Sequence, residues 1–279
     1  MTIEKNIAID GKFGKPILLD YGFLATGNKK PVVIFAHGFK GFKDWGHFNM
    51  MMDHFINANT IFVKFNFSHN GGTVEQPIDF PDLEAFGNNN YTKELSDLKT
   101  VVDWVENNTA IPRDEIDANQ IYLIGHSRGG GLAVLAANED KRIKKLVCWA
   151  PVADLINRFS EQQLAAWKKD GVIYIPNART NQQMPLYYQL VEDTLGDEER
   201  FNIEKAAKNI KIPHLIIHGT ADEAVDLSEG KSIHQWNEKS EMFVVEGGNH
   251  TFGTYHPYLS EDFPSDVALV LEQTLSFFL

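Results

Sequence analysis

The stretch Ile121-Tyr122-Leu123-Ile124-Gly125-His126-Ser127-Arg128-Gly129-Gly130-Gly131-Leu132-Ala133 constrains this chain more than any other. An apolar run that reads as a buried strand ends at Gly125, and a small-residue run from Gly130 to Ala137 reads as a helix. Only a sharp turn joins them, and Ser127 sits in it. Gly-x-Ser-x-Gly between a strand and a helix is the pattern of a nucleophile elbow. Glycine is needed at 125 and 129 because strand and helix approach too closely for a side chain. Ser127 is expected to hold strained backbone angles that push its hydroxyl above the sheet edge. An ordinary Gly-rich turn produces the same letters, so the rest of the chain decides.

That chain has 279 residues, enough for one large α/β domain or two small ones. Ile3–Asp10 and Pro16–Ala25 read as strands joined by a Gly-rich turn, so the sheet should begin antiparallel. Val32–Ala36, Thr60–Phe67, Ile143–Ala150, Pro213–His218 and Glu241–Glu246 read as further strands. Phe48–Asn57, Tyr91–Asn107, Leu227–Trp236 and Asp266–Phe278 read as helices. The Met50–Met52 cluster falls at core spacing rather than in a ligand set. Strands alternating with helices imply a mostly parallel sheet with helices on both faces. Two stretches break the rhythm. Ser68–Asn90 is a long polar loop, and Pro151–Asn209, rich in Trp, Tyr and Gln, should hold short helices.

In such sheets the site forms at the carboxyl ends of the strands. A serine hydroxyl needs a base, and the base needs an orienting carboxylate. The best base is His250, in the loop Gly247-Gly248-Asn249-His250 after a strand, with His256 as a backup. The best carboxylate is Asp222, in Gly219-Thr220-Ala221-Asp222, with Glu223 and Asp226 behind it. His218 reads as a core histidine, and His126 packs beside the elbow. Oxyanion donors are expected from the backbone amides of Arg128 and of Phe39, which follows His37-Gly38 after a buried strand. No phosphate-loop or dinucleotide fingerprint is present, and the histidines lack zinc-ligand spacing. The expectation is chemistry without metal or organic cofactor.

Charge narrows the partners. The net charge is −12 with no basic block, which argues against nucleic acid and anionic membrane. Cys148 is the one cysteine and lies in an apolar run, a structural thiol rather than a nucleophile. The N-terminus has no apolar signal core and no run reaches the length of a membrane span. The expected setting is cytoplasmic, with a small-molecule ester as partner and a homodimer left open.

With Gly125-His126-Ser127-Arg128-Gly129, His37-Gly38-Phe39, Asp222 and His250 in place, the chain resembles the α/β-hydrolase fold family from about Ile3 to Leu279. More narrowly it is similar to the bacterial cinnamoyl/feruloyl esterases, on motifs shared with serine aminopeptidase-like and dienelactone-hydrolase-like relatives. The resemblance implies one α/β-hydrolase domain over 1–279, with an eight-stranded, mostly parallel sheet and a small cap inserted at about 152–209. It implies a serine hydrolase that cleaves carboxylic esters through an acyl-enzyme, with Ser127, His250 and Asp222 as triad. The acyl part, cinnamoyl, feruloyl or another aromatic or short chain, would sit under the cap. Trp167, Tyr174, Met184, Tyr187 and Tyr188 are the candidates to line its pocket, or else they form the cap's own small core. Arg128 puts a cation beside the nucleophile, which either favours an anionic substrate or points to solvent. Two alternatives stay open: an amide hydrolase (peptidase or acylaminoacyl type) using the same triad, and a non-catalytic binding protein of this fold.

Overall fold

Runs of β-branched and aromatic side chains suit a pleated surface covered on both sides, and here they form the centre of a sheet. The computed structural model describes residues 1–279. The chain opens with β1 (Thr2–Ile9), β2 (Ile17–Phe23), β3 (Lys30–Ala36), α1 (Phe48–Asn57) and β4 (Ile61–Asn66). It continues through α2 (Leu83–Gly87), α3 (Tyr91–Asn107), β5 (Ile116–His126), α4 (Arg128–Glu139) and β6 (Ile143–Trp149). Next come α5 (Glu161–Asp170), β7 (Val172–Asn177), β8 (Gln182–Tyr187), α6 (Gln189–Gly196) and α7 (Ile203–Asn209). The chain closes with β9 (His214–Gly219), α8 (Leu227–Trp236), β10 (Ser240–Val245) and α9 (Ser265–Phe278).

Eight strands form one sheet in the order β1-β2-β4-β3-β5-β6-β9-β10. β2 runs antiparallel to both its neighbours, and every other pairing is parallel. The two faces are separated by residue parity. On β3, Val32 and Ile34 join one core cluster and Val33 and Phe35 the other. α3 and α4 cover the first face with Leu98, Val101, Leu132 and Leu135. α1 and α9 cover the second with Met51, Met52, Phe55, Val270 and Leu271. Cys148 is buried in the first of these layers, 3.3 Å from His214 Nε2, and burial pushes its thiol far up. No helix is long and apolar enough to cross a membrane.

The stretch from Pro151 to Asn209 departs from the sequence expectation. It holds short helices, but also the antiparallel hairpin β7–β8. Pro176 and Pro185 argue against strands in the sequence pattern, because proline cannot donate to a ladder. A two-stranded ribbon has only edges, so both prolines are accommodated. Trp167 fastens α5 to this hairpin. It is fully buried, its Nε1 donates to Leu186 O at 2.9 Å, and it packs edge-on against Phe159 and Tyr188.

The long loop between β4 and α3 leans on the same insertion. It contains α2, whose Asp82 side chain caps the Ala85 amide. The Tyr187 hydroxyl donates to Glu84 Oε2 at 2.5 Å, and a Cβ on Gly87 would lie 2.9 Å from the Tyr187 ring. Gln182 Nε2 donates to Phe80 O at 3.0 Å, and Gln189 Nε2 to Asn89 O at 2.8 Å.

α3 also holds the start of that loop through Asp97, whose Oδ2 accepts the Ser68 amide at 2.7 Å. Its other oxygen is buried without a partner. Burial, working against the Ser68 hydrogen bonds, pushes this carboxyl up to about 7. The folded protein therefore holds the proton more tightly than the unfolded chain does. Asp97's contribution to stability is greatest below pH about 4, and it is lost as the pH rises to about 7. Asp97→Asn keeps an acceptor for Ser68 and removes the titration. The difference in Tm between variant and wild type should move in the variant's favour from pH 4 to pH 7 and level off above. A difference that stays constant across that range contradicts this account.

Candidate active site

β5 delivers Ser127 at the carboxyl edge of the sheet, and α4 starts at the next residue. Ser127 holds φ 58° and ψ −121°, a left-handed conformation costly for a side-chain-bearing residue. Backbone bonds hold it there: its amide donates to Trp149 O at 2.9 Å, and its carbonyl accepts from Gly130 and Val152. The flanking glycines are sterically required. A Cβ on Gly125 would lie 2.3 Å from Gly129 O, and one on Gly129 would lie 2.5 Å from both Ala36 O and His37 O. These obstacles are backbone atoms, of α4 in the first case and of the end of β3 and the turn after it in the second, and they cannot swing away. Gly129→Ala should destabilise by about 3 kcal/mol or fail to fold, read as Tm or soluble yield. A Tm within 2 °C of wild type, about 1 kcal/mol in a chain of this size, would show that the elbow has more room than these distances allow.

His250 stands in the loop after β10, with Nε2 2.9 Å from Ser127 Oγ and Nδ1 2.8 Å from Asp222 Oδ2. Asp222 lies just past β9, its side chain fully buried. Its Oδ1 accepts the amides of Ala224 and Val225, each at 2.9 Å. Its Oδ2 is also 3.3 Å from His218 Nε2. Burial works to raise this carboxyl's pKa. The hydrogen bonds from His218, His250 and Val225 outweigh it and hold the group far below the usual range. An ionised carboxylate only accepts, so Nδ1 of His250 donates to it and Nε2 presents a lone pair to the Ser127 hydroxyl.

His126 lies beneath this line, its Nε2 donating to His250 O at 2.9 Å and its ring 4.9 Å from the His250 ring. Burial, reinforced by His250, holds it down at about 3, so it stays neutral. His218 is buried as its sequence position suggested, with a contact to Asp222 that the sequence did not reveal. The backup residues lie elsewhere. His256 accepts the Gly46 amide and stacks on Trp45. Asp226 caps α8, and Glu223 is exposed.

The turn His37-Gly38-Phe39 follows β3 and lies against the serine: a Cβ on Gly38 would be 2.9 Å from Ser127 Cβ. The Phe39 amide takes part in no backbone hydrogen bond. As the first residue of α4, Arg128 has no intrahelical acceptor for its amide. Behind the turn is a buried ionic network absent from the sequence reading. Lys43 and Lys64 both contact Asp20 and Asp44 at 2.5 to 2.8 Å, and Asn66 Oδ1 accepts the Lys43 amide at 2.6 Å. Two cations against two anions leave no unpaired charge, and the network ties this turn to β2 and β4.

Two cavities meet at Ser127 and His250. The larger, about 410 Å³, is walled mainly by apolar side chains, among them Phe39, Val152, Leu155, Phe159, Leu186 and Leu190. Tyr91, Arg128, Arg158 and Lys40 also line it, and burial pushes the Tyr91 hydroxyl up to about 12. The smaller, about 290 Å³, is more polar and is bordered by His126, Asn177, Arg179 and Thr251. The buried Asn177 Nδ2 has no partner.

None of the five cap residues expected to line the pocket does so. Trp167 and Met184 are fully buried inside the insertion, and Tyr188 packs on Trp167. Tyr174 is exposed to solvent, and Tyr187 is bonded to Glu84 on the long loop. The insertion supplies the wall through smaller residues instead. Large aromatics release the most free energy when fully buried, and the insertion uses them as its own core. Tyr91 at the start of α3 was missed because helical spacing marks it simply as core. No cluster of three or more His, Cys, Asp or Glu side chains is arranged to hold a metal ion.

The comparisons with known proteins fit this geometry. The sequence model of the BD-FAE family matches residues 24–237. A curated relative, an uncharacterized 31.7 kDa protein from the traX-finO intergenic region of Escherichia coli, is 28% identical over 152 residues. That match covers 52% of this chain, which thus spans about half (46%) of the relative's length. Among solved structures, Est1E from Butyrivibrio proteoclasticus, with ferulic acid bound, superposes with a TM-score of 0.72 at 20% identity over 97% of both chains. The α/β hydrolase GrgF from Penicillium sp. sh18 gives 0.73 at 17% identity, covering 100% of this chain and 98% of its own. The esterase domain of a Rhodothermus marinus protein gives 0.64 at 16%, covering 99% and 98%. At these identities the likeness is one of fold.

Proposed function

The chain belongs to the BD-FAE family and has the α/β-hydrolase fold, and from this premise we propose that it is a serine hydrolase of carboxylic esters. The observation that carries the proposal is the line Asp222–His250–Ser127, two contacts of 2.8 and 2.9 Å opening onto an apolar cavity. In this reading Ser127 Oγ attacks the ester carbonyl while His250 Nε2 takes its proton. Asp222 holds the imidazole tautomer and stabilises the cation that forms. The amides of Phe39 and Arg128 receive the charge that develops on the carbonyl oxygen. His250 then returns the proton to the departing alcohol, leaving an acyl-enzyme. Water, activated by the same histidine, releases the acid and restores Ser127.

We assign the acyl part to the larger cavity and the alcohol to the smaller, more polar one. A volume of about 410 Å³ lies within the range for small-molecule sites and suits an aromatic or short acyl chain. We further read residues 152–209 as a cap on a single domain, because Leu155, Phe159, Leu186 and Leu190 roof the larger cavity.

A hydrolysis panel tests the proposal. It sets p-nitrophenyl esters of increasing acyl length and methyl esters of hydroxycinnamic acids beside an aminoacyl anilide, each with Ser127→Ala as control. Serine-dependent turnover of the esters, with the anilide at least a hundredfold slower, is expected. Efficient anilide cleavage would move the assignment to an amide hydrolase, and no turnover of any substrate would favour a binding protein.

A further inference from the structure

The larger cavity has a charge pattern opposite to that of the chain. The protein carries 38 acidic residues against 26 lysines and arginines. Yet the residues lining this cavity include Lys40, Arg128 and Arg158 and no aspartate or glutamate. The carboxylates that balance them stand behind the wall. Arg128 reaches buried Glu94 at 2.6 Å, and Arg158 reaches Glu229 at 3.0 Å. Lys40 has only a backbone carbonyl, Pro176 O, at 3.5 Å.

Arg128 is held in the cavity, not in solvent. Its side chain is 16% exposed, and its guanidinium carbon stacks 4.5 Å above the Phe39 ring and 6.0 Å from Tyr91. A guanidinium has five N–H donors, and a single hydrogen bond to Glu94 Oε1 leaves most of them for a ligand. Arg128, Arg158 and Tyr91 line the same cavity. Apart from Lys40, Ser127 and His250, the rest of the wall is apolar. A guanidinium facing a largely desolvated, apolar space favours an anionic group with planar oxygens.

We infer that the preferred substrates are esters whose acyl part carries a carboxylate at its far end, with Arg128 and Arg158 binding that carboxylate. The inference rests on the serine-hydrolase reading for the fate of the ester, though not for its binding. The substrate class is thus a monoester of a dicarboxylic acid, its apolar middle lying along Leu155, Phe159 and Leu186.

Calorimetric titration of the Ser127→Ala protein, which turns the ligand over far more slowly than wild type, tests binding separately from catalysis. The ligands are methyl monoesters of dicarboxylic acids of four to eight carbons, each paired with a neutral methyl ester of equal acyl length. The best monoester should bind at least tenfold more tightly than its neutral partner. Adding Arg158→Gln should reduce that ratio to near one. Adding Glu94→Gln removes the negative charge behind Arg128 while keeping an acceptor for it, and should raise the ratio severalfold. Equal affinities at every chain length, or a ratio untouched by both variants, overturn the inference. If the wild-type protein hydrolyses neutral esters through Ser127 while the affinities are equal, the hydrolase reading stands and this one falls.

Discussion

Replacing Ser127 with alanine is expected to lower kcat for ester hydrolysis by about a thousandfold or more, with KM for the same ester little changed. Only one oxygen is lost, and the elbow is held by backbone bonds from Gly130, Val152 and to Trp149 that the substitution leaves alone. Alanine inherits the same positive φ, so the variant should fold with a Tm close to that of wild type. The residual rate should reflect the Phe39 and Arg128 amides, which still polarise a bound carbonyl. Turnover within tenfold of wild type would mean that another group performs the attack.

Asp222→Asn should be severely damaging too, with kcat falling by roughly ten-thousandfold. The reason is specific to the way this carboxylate is held. Its Oδ1 accepts two backbone amides, from Ala224 and Val225, and only the carbonyl oxygen of an asparagine can take that place. The NH2 group is then forced toward His250 Nδ1, from which Oδ2 now accepts. His250 must present a lone pair at Nδ1 and carry its proton on Nε2, toward Ser127. In that tautomer it cannot act as a base. The pair His218→Gln and Asp222→Asn, measured together and apart, separates positioning from charge. His218→Gln alone should cost far less than Asp222→Asn, because His250 and two amides still hold the carboxylate. Equal losses from the two single variants would show that His218 does more than hold Asp222 in place.

Much of this was visible in the sequence, for identifiable reasons. α1, α3 and α8 begin and end where the sequence placed them, because each has a continuous apolar stripe and two are capped by Asn90 and Asp226. The central strands were legible because the sheet is covered on both faces there, and β3 and the end of β5 read as unbroken apolar runs. Chain order and position past strand ends singled out Ser127, Asp222 and His250, which the fold brings within hydrogen-bonding distance of one another. What escaped was set by tertiary contact. The hairpin β7–β8 was hidden by its two prolines. Lys64 interrupts an apolar strand, and nothing local reveals Asp20 and Asp44 as its partners. Trp167 shows the limit most clearly: its size and apolarity say that it will be covered, but not whether by a substrate or by Leu186, Phe159 and Tyr188.

The central claim is that Ser127 is an activated nucleophile, and covalent labelling tests it most directly. The folded protein is incubated with a fluorophosphonate and the adduct is mapped by peptide mass. One adduct is predicted, on Ser127, absent from Ser127→Ala and formed at least a hundredfold more slowly in Asp222→Asn. No adduct on the folded protein, or one that persists in Ser127→Ala, would contradict the account.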